Sequence, residues 1–203
     1  MSEKKKRLLL VGNAPIPVDV ADKVNECDYV LRINRMNNLH NTGDRIDGVF
    51  VAAYRDWREV YHGGENKEHY KRAGQLWITP ELKANFPDWN EYFTKEQWEH
   101  PVLISFGMNA DVSHVHCTIV TTTIRVLDVL VSTPSITNEY EIWIAGITIE
   151  GRGKMFETGD AWINTEHRWM GHAEERYLKR LVAEGRVKRL IPEIDDSLHH
   201  SEG

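Results

Sequence analysis

At 203 residues the chain has room for one sizeable core and is short for two comfortable domains. Its 41% hydrophobic and 28% charged residues are the ordinary balance of a soluble globular protein. A formal net charge of −6 argues against a general nucleic-acid binder, which carries a basic stripe; it leaves room for an anionic ligand, because clustered amides hold a phosphate on an acidic protein.

The chain begins MSEKKKRLLLVGN. Its apolar run, Leu8 to Val11, is too short for a signal peptide or membrane anchor, and no longer apolar stretch follows. A cytoplasmic location without an integral membrane segment is expected, with Cys27 and Cys117 reduced. Leu8–Val11 predicts a short buried strand, broken by Gly12-Asn13-Ala14-Pro15. A helix is expected over Val18–Glu26, then a second buried strand, Asp28–Ile33, ending in Asn34-Arg35. A polar loop, Asn37–Gly43, leads to a third strand at Val49–Ala52. Leu76–Thr79 is a fourth, stopped by Pro80, and Val102–Phe106 a fifth.

Thr118–Val131 has the spacing of a mostly buried helix. Glu141–Ala145 reads as a strand ended by Gly146. In His172–Glu184, Tyr177, Leu178, Leu181 and Val182 share one helical face, and Gly185 stands where a C-cap glycine belongs. Val187–Ile191 is the last strand. Residues 1–193 are expected to form one domain and 194–203 a disordered tail. Strands alternating with helices predict a Rossmann-like α/β fold, a mostly parallel central sheet with helices on both faces. Ligands in such sheets bind beyond the carboxyl ends of the strands, which singles out the turns Gly12-Asn13, Asn34-Arg35 and Gly146-Ile147.

The turns at Gly12-Asn13 and Arg32-Ile33-Asn34-Arg35 carry the first candidate chemistry. Gly12 lets backbone approach a ligand closely, and the amides of Asn13 and Asn34 grip a phosphate oxygen and a ribose or base without adding charge. Asn and Gly equally well make turns alone. Taken together, Leu9-Val11-Gly12-Asn13, Asp28-Val30-Arg32-Asn34 and Gly43-Ile46-Asp47-Phe50 resemble the long sialylmotif of the family 29 sialyltransferases, and the bacterial family 42 enzymes use a similar Gly-Asn and Arg-x-Asn pair. The resemblance implies a GT-A-like variant of the α/β fold. It also implies donor contacts to the CMP moiety from Gly12, Asn13, Arg32 and Asn34.

A second block, Thr121-Thr122-Thr123 followed by Tyr140 to Ile147, resembles the short sialylmotif, in which a hydroxyl-rich turn opens a helix and a strand ends in glycine. Thr123 stands where that family has glycine. Hydroxyls and free amides at a helix start form a phosphate cradle, so Thr121, Thr122, Thr123 and Gly146 join the expected donor site; three threonines inside a buried helix are the structural alternative. A third block, Glu166-His167 and Gly171-His172 through Glu175, resembles the end of the same family, where a histidine before a helix acts as general base. His172 is favoured on physical grounds: in the first helical turn the dipole disfavours the imidazolium and keeps the ring able to accept a proton. Glu175, one turn on, can orient it. His167 is the other candidate.

His114-x-His116-Cys117 has no second cluster to complete a zinc site, so no metal is expected. Gly151-x-Gly153-Lys154 lacks P-loop spacing and reads as a flexible lid. Among the tryptophans, Trp57, Trp89, Trp98, Trp162 and Trp169 stand in polar contexts, where they stack on sugars or plug core gaps. The combined expectation is a metal-independent glycosyltransferase. It takes a nucleotide-sugar donor, a CMP-sugar, and a glycan acceptor, needs no cofactor and inverts the anomeric centre. A transferase using another nucleotide sugar and a non-catalytic nucleotide- or glycan-binding homologue remain as alternatives. A nicotinamide enzyme is disfavoured by the missing three-glycine fingerprint.

Overall fold

The computed structural model describes residues 4–51, 66–105, 121–152 and 170–191. In chain order the elements are β1 (Lys6–Val11), α1 (Ala21–Asn25), β2 (Tyr29–Ile33), α2 (Leu39–Thr42) and β3 (Gly48–Val51). There follow α3 (Lys67–Arg72), β4 (Gln75–Ile78), α4 (Pro80–Asn85), α5 (Trp89–Tyr92), α6 (Lys95–Glu99) and β5 (Val102–Leu103). The last are α7 (Thr122–Ser132), α8 (Pro134–Glu139), β6 (Tyr140–Ala145), α9 (Met170–Ala183) and β7 (Val187–Arg189).

The strands form one seven-stranded sheet in the order β5-β4-β3-β2-β1-β6-β7. Every pairing is parallel, with Leu8 opposite Tyr29 on one side and Ile142 on the other. The chain steps outward from β1 to β5, returns past its start, and adds β6 and β7. Strand order therefore reverses between β1 and β6, the topological switch point at which ligands of open α/β sheets bind.

Strand alternation sorts the core into two layers. Leu8 and Leu10 share one face with Leu31, Ile33, Phe50 and Ile144, covered by Ile124 and Leu127 of α7 and Leu178 and Leu181 of α9. Leu9, Val11 and Val30 face the other way, beneath Val24 of α1. On that same face Val49, Val51, Leu76 and Ile78 meet Tyr70 of α3, Leu82 of α4 and Trp98 of α6. Both faces are apolar, which is why β1 to β4 read as continuous hydrophobic runs. Each fully buried leucine contributes at most about 1.5–3 kcal/mol. Trp89 and Trp98 stack with ring centroids 5.4 Å apart, within the same layer. Trp57, Trp162 and Trp169 lie outside the described residues.

The boundaries differ from the sequence expectation for local reasons. The first helix starts at Ala21, where the Asp19 carboxylate accepts the Ala21 N–H at 2.9 Å, rather than at Val18. The loop expected over 37–43 contains the single helical turn α2, whose last residue, Thr42, donates its hydroxyl to the Asn38 carbonyl at 2.6 Å. Thr133 ends α7 and Pro134 opens α8, an element the sequence reading did not place. Gly185, at φ 69°, caps α9 as expected; Arg186 N–H donates to Leu181 O and Gly185 N–H to Val182 O, each at 3.0 Å, in the Schellman pattern. The acidic residues Asp28 and Asp47 serve the strand starts: they accept the N–H of Arg7 at 2.7 Å and of Val30 at 2.8 Å.

Candidate functional site

At the switch point the turns after β1 and β6 cross in contact. Gly12 N–H donates to Ala145 O and Ala14 N–H to Gly146 O, both at 2.9 Å. A Cβ on Gly12 would lie 2.3 Å from Gly146 O and 2.8 Å from Ile147 Cγ1. Gly146 sits at φ 61°, and its Cβ would lie 2.8 Å from both Asn38 Nδ2 and Gly12 O. Both positions thus require glycine for this crossing alone, and the space left by the missing side chain of Gly12 is taken up by the β6 turn.

Asparagines stitch the neighbouring turns. The half-buried Asn13 donates Nδ2 to Ile33 O and accepts Asn37 N–H at Oδ1, both at 3.2 Å. The turn after β1 is therefore tied to the turn after β2, at the residue before Asn34. Asn34 is also only partly buried and adopts φ 44°, which asparagine tolerates better than most side chains. Its N–H donates to Phe50 O at 2.9 Å and its carbonyl accepts the Tyr70 hydroxyl at 3.0 Å. Burial pushes the Tyr70 phenol up to about 12. Sequence reasoning missed Asn38, which is 2% exposed and donates Nδ2 to Gly12 O at 2.9 Å and Ala14 O at 2.8 Å. It stands within the stretch read only as a polar loop.

Arg32, expected to contact the donor, is fully buried. Its Nε donates to Arg45 O at 2.8 Å, Nη1 to Thr42 Oγ1 at 2.8 Å, and Nη2 to Gly43 O at 2.8 Å and Thr42 O at 3.2 Å. Every guanidinium nitrogen is committed to the segment that leads into β3. Burial lowers the guanidinium to about 10, against the raising effect of Asp44 and Asp47, so it stays charged at neutral pH. Arg32 is a scaffold residue, and the correction has a simple cause: its side chain has found carbonyl partners from its own chain inside the fold.

At the threonine turn a side chain of the protein takes part of the helix start. Thr121 is the N-cap of α7, and its own N–H donates to Glu174 Oε1 at 2.7 Å. A carboxylate of the protein itself thus sits at this helix start, at the first residue of the stretch where the sequence reading expected a phosphate. Thr121 Oγ1 lies 3.1 Å from Glu174 Oε2, while Thr122 is buried and Thr123 half-buried. Arg152, past the β6 turn, completes the cluster: Nε and Nη2 each stand 2.7 Å from Glu174 Oε2, Nη2 donates to Thr121 Oγ1 at 3.1 Å, and Nη1 to Thr148 O at 3.2 Å.

Glu174 is fully buried, whereas its neighbour Glu175 is half-buried and pairs with Lys179 at 2.6 Å. Sequence reasoning chose Glu175 and missed Glu174, although the spacing of Glu174 with Leu178 and Leu181 put a carboxylate on the apolar face of α9. His172 lies in the first turn of α9 and is exposed. His167 lies outside the described residues, as do His114, His116, Cys117, Gly153 and Lys154. Helices that lead into parallel strands run antiparallel to them, so the starts of α7 and α9 stand at the same carboxyl edge as the Gly12, Asn34 and Gly146 turns.

The fold is that of a Rossmann-like α/β protein, with its topological switch point at the β1/β6 crossing. Neither family models nor curated proteins match the sequence. Among the described residues no helix is long and apolar enough to cross a membrane, and no group of His, Cys, Asp and Glu is assembled to hold a metal ion.

Proposed function

We propose that this chain is a glycosyltransferase that binds a CMP-activated, sialic acid-like sugar at the β1/β6 crossing and transfers it to an acceptor hydroxyl with inversion. The observation that carries the reading is the bond from Asn13 Nδ2 to Ile33 O at 3.2 Å, which puts two partly exposed asparagines on adjoining turns at the strand carboxyl ends. The glycines let the two turns cross in contact, which brings the Asn13 and Asn34 turns to one edge, and uncharged amides there suit a leaving group with a single phosphate. The resemblance of the same residues to the long sialylmotif supports cytidine as the base.

In this mechanism Asn13 and Asn34 hold the donor. The acceptor oxygen attacks the anomeric carbon as His172 Nε2 or Nδ1 takes its proton; the bond from that carbon to the phosphate oxygen breaks, and CMP leaves with the electron pair. His167 is the alternative base. CMP carries away one phosphate, so protein dipoles suffice to stabilise it and no metal is required.

Calorimetry with CMP, CDP, UMP and UDP tests the reading, followed by hydrolysis assays with CMP-sugars. CMP is expected to bind best, and Asn13→Ala to weaken it about tenfold, equivalent to about 1.4 kcal/mol. His172→Ala is expected to keep CMP binding and lose hydrolysis. Tight binding of a uridine nucleotide with no response to CMP would overturn the assignment.

A further inference from the structure

We infer that Glu174 is a positioning residue, locking the helix that carries His172 to the start of α7 and to the segment leaving β6. The inference rests on the function proposed above for its catalytic consequence, and on geometry for the lock itself.

The Glu174 carboxylate is fully buried, yet it joins three parts of the chain distant in sequence. Oε1 takes the Thr121 N–H, and Oε2 takes the Arg152 fork. Arg152 in turn holds the Thr148 carbonyl, so the stretch from Thr148 to Arg152 is tied back to the helices. Such a cluster is not needed for stability as such. A buried ion pair is often matched or exceeded by apolar packing of the same volume, and what it can supply instead is a single geometry. Here the geometry has a direction. Residues two apart on a helix point to opposite sides, so seating Glu174 inward turns His172 outward, where it is exposed. The same bonds set how far His172 stands from the Gly146 turn. Glu174 makes no use of its charge beyond these partners. Its neighbour Glu175, by contrast, is half-buried and pairs with Lys179 one turn along the helix surface.

The test uses the full chain with Glu174→Gln and, as a second route that keeps the buried carboxylate, Arg152→Lys, which retains the charge and loses the fork. Amide hydrogen exchange is expected to rise about tenfold together over 121–126, 146–152 and 170–176 in both variants, with the sheet amides unchanged. With a CMP-sugar, kcat is expected to fall about a hundredfold, as for a misplaced catalytic group. KM is expected to stay within about twofold, and Glu174→Gln added to His172→Ala should cost nothing more. Exchange that rises at 170–176 alone, or a kcat loss tracking the unfolded fraction, overturns the inference. If the unmodified chain neither binds CMP nor turns over any CMP-sugar, the proposed function fails while the exchange data still decide whether Glu174 is the lock.

Discussion

Two buried arginines flank the crossing of β1 and β6, and they are neutralised in opposite ways. Arg32, on the β2 side, is surrounded by carbonyl oxygens of Thr42, Gly43 and Arg45 and one hydroxyl, with no carboxylate of the described residues in direct contact. Arg152, on the β6 side, meets the carboxylate of Glu174 head-on at 2.7 Å. The first arrangement staples one continuous loop to the strand beside it. The second joins helices and a turn that are far apart in sequence. Dipoles distribute their hold over many weak partners, so losing one is survivable; a charge pair concentrates it, so losing one partner strands the other.

The sharpest way to break the comparison is Glu174→Leu. It takes the Glu174 carboxylate away from the buried Arg152 cation, and should cost about 3–5 kcal/mol of unfolding free energy in urea titration. Arg32→Met removes the cation and leaves only neutral carbonyls behind, so its cost is smaller, about 2–3 kcal/mol by the same titration. If Arg32→Met proved the more damaging, the contrast between the two sides would be wrong. Asn38→Ala probes the uncharged stitching directly. It orphans the Gly12 and Ala14 carbonyls and should cost about 2 kcal/mol, with a loss of CMP affinity if the turn holds the donor as proposed.

A pH measurement sharpens the β2 side further. Tyr70 holds the Asn34 carbonyl, and burial raises its phenol from 10.0 to about 12. The folded state thus keeps the proton that the unfolded chain releases. The contribution is fully present below pH 10, where the unfolded tyrosine is still protonated, and is lost as pH rises from 10 through 12. A loss of about 1 kcal/mol by pH 11 is expected, and Tyr70→Phe should abolish that component of the alkaline slope. The smallest effect belongs to the exposed pair of Lys6 and Glu139 at the opposite edge of the sheet. There Glu139→Gln should leave the thermal midpoint unchanged, and a clear shift would mean that surface charges matter here more than exposed pairs usually do.

Much of the fold was legible in the residues. The apolar runs at Leu8–Val11, Asp28–Ile33 and Glu141–Ala145 announced strands buried on both faces, and Gly185 announced the end of α9. The turns at Gly12, Asn34 and Gly146 could be marked as one edge because strand ends in a parallel sheet all point the same way. The site was legible only in outline. Arg32 and Asn34 lie two apart on one strand end, where alternation alone gives no reason for one side chain to be sealed inside and the other to stay at the surface. Nor does the string Ala173-Glu174-Glu175-Arg176 say which carboxylate turns inward.

What the sequence determined by itself was the alternation of elements and the edge at which they end, because hydrophobic period and turn chemistry are local properties. Only the tertiary structure decided that Glu174, not Glu175, is the buried carboxylate, that Arg32 is a scaffold cation, and that Glu174 takes the α7 amide a phosphate was expected to fill. Each of those outcomes depends on the rotation of a helix against the sheet and on partners many residues away, and a polar group buried in a core takes whichever partner that packing brings within hydrogen-bonding reach.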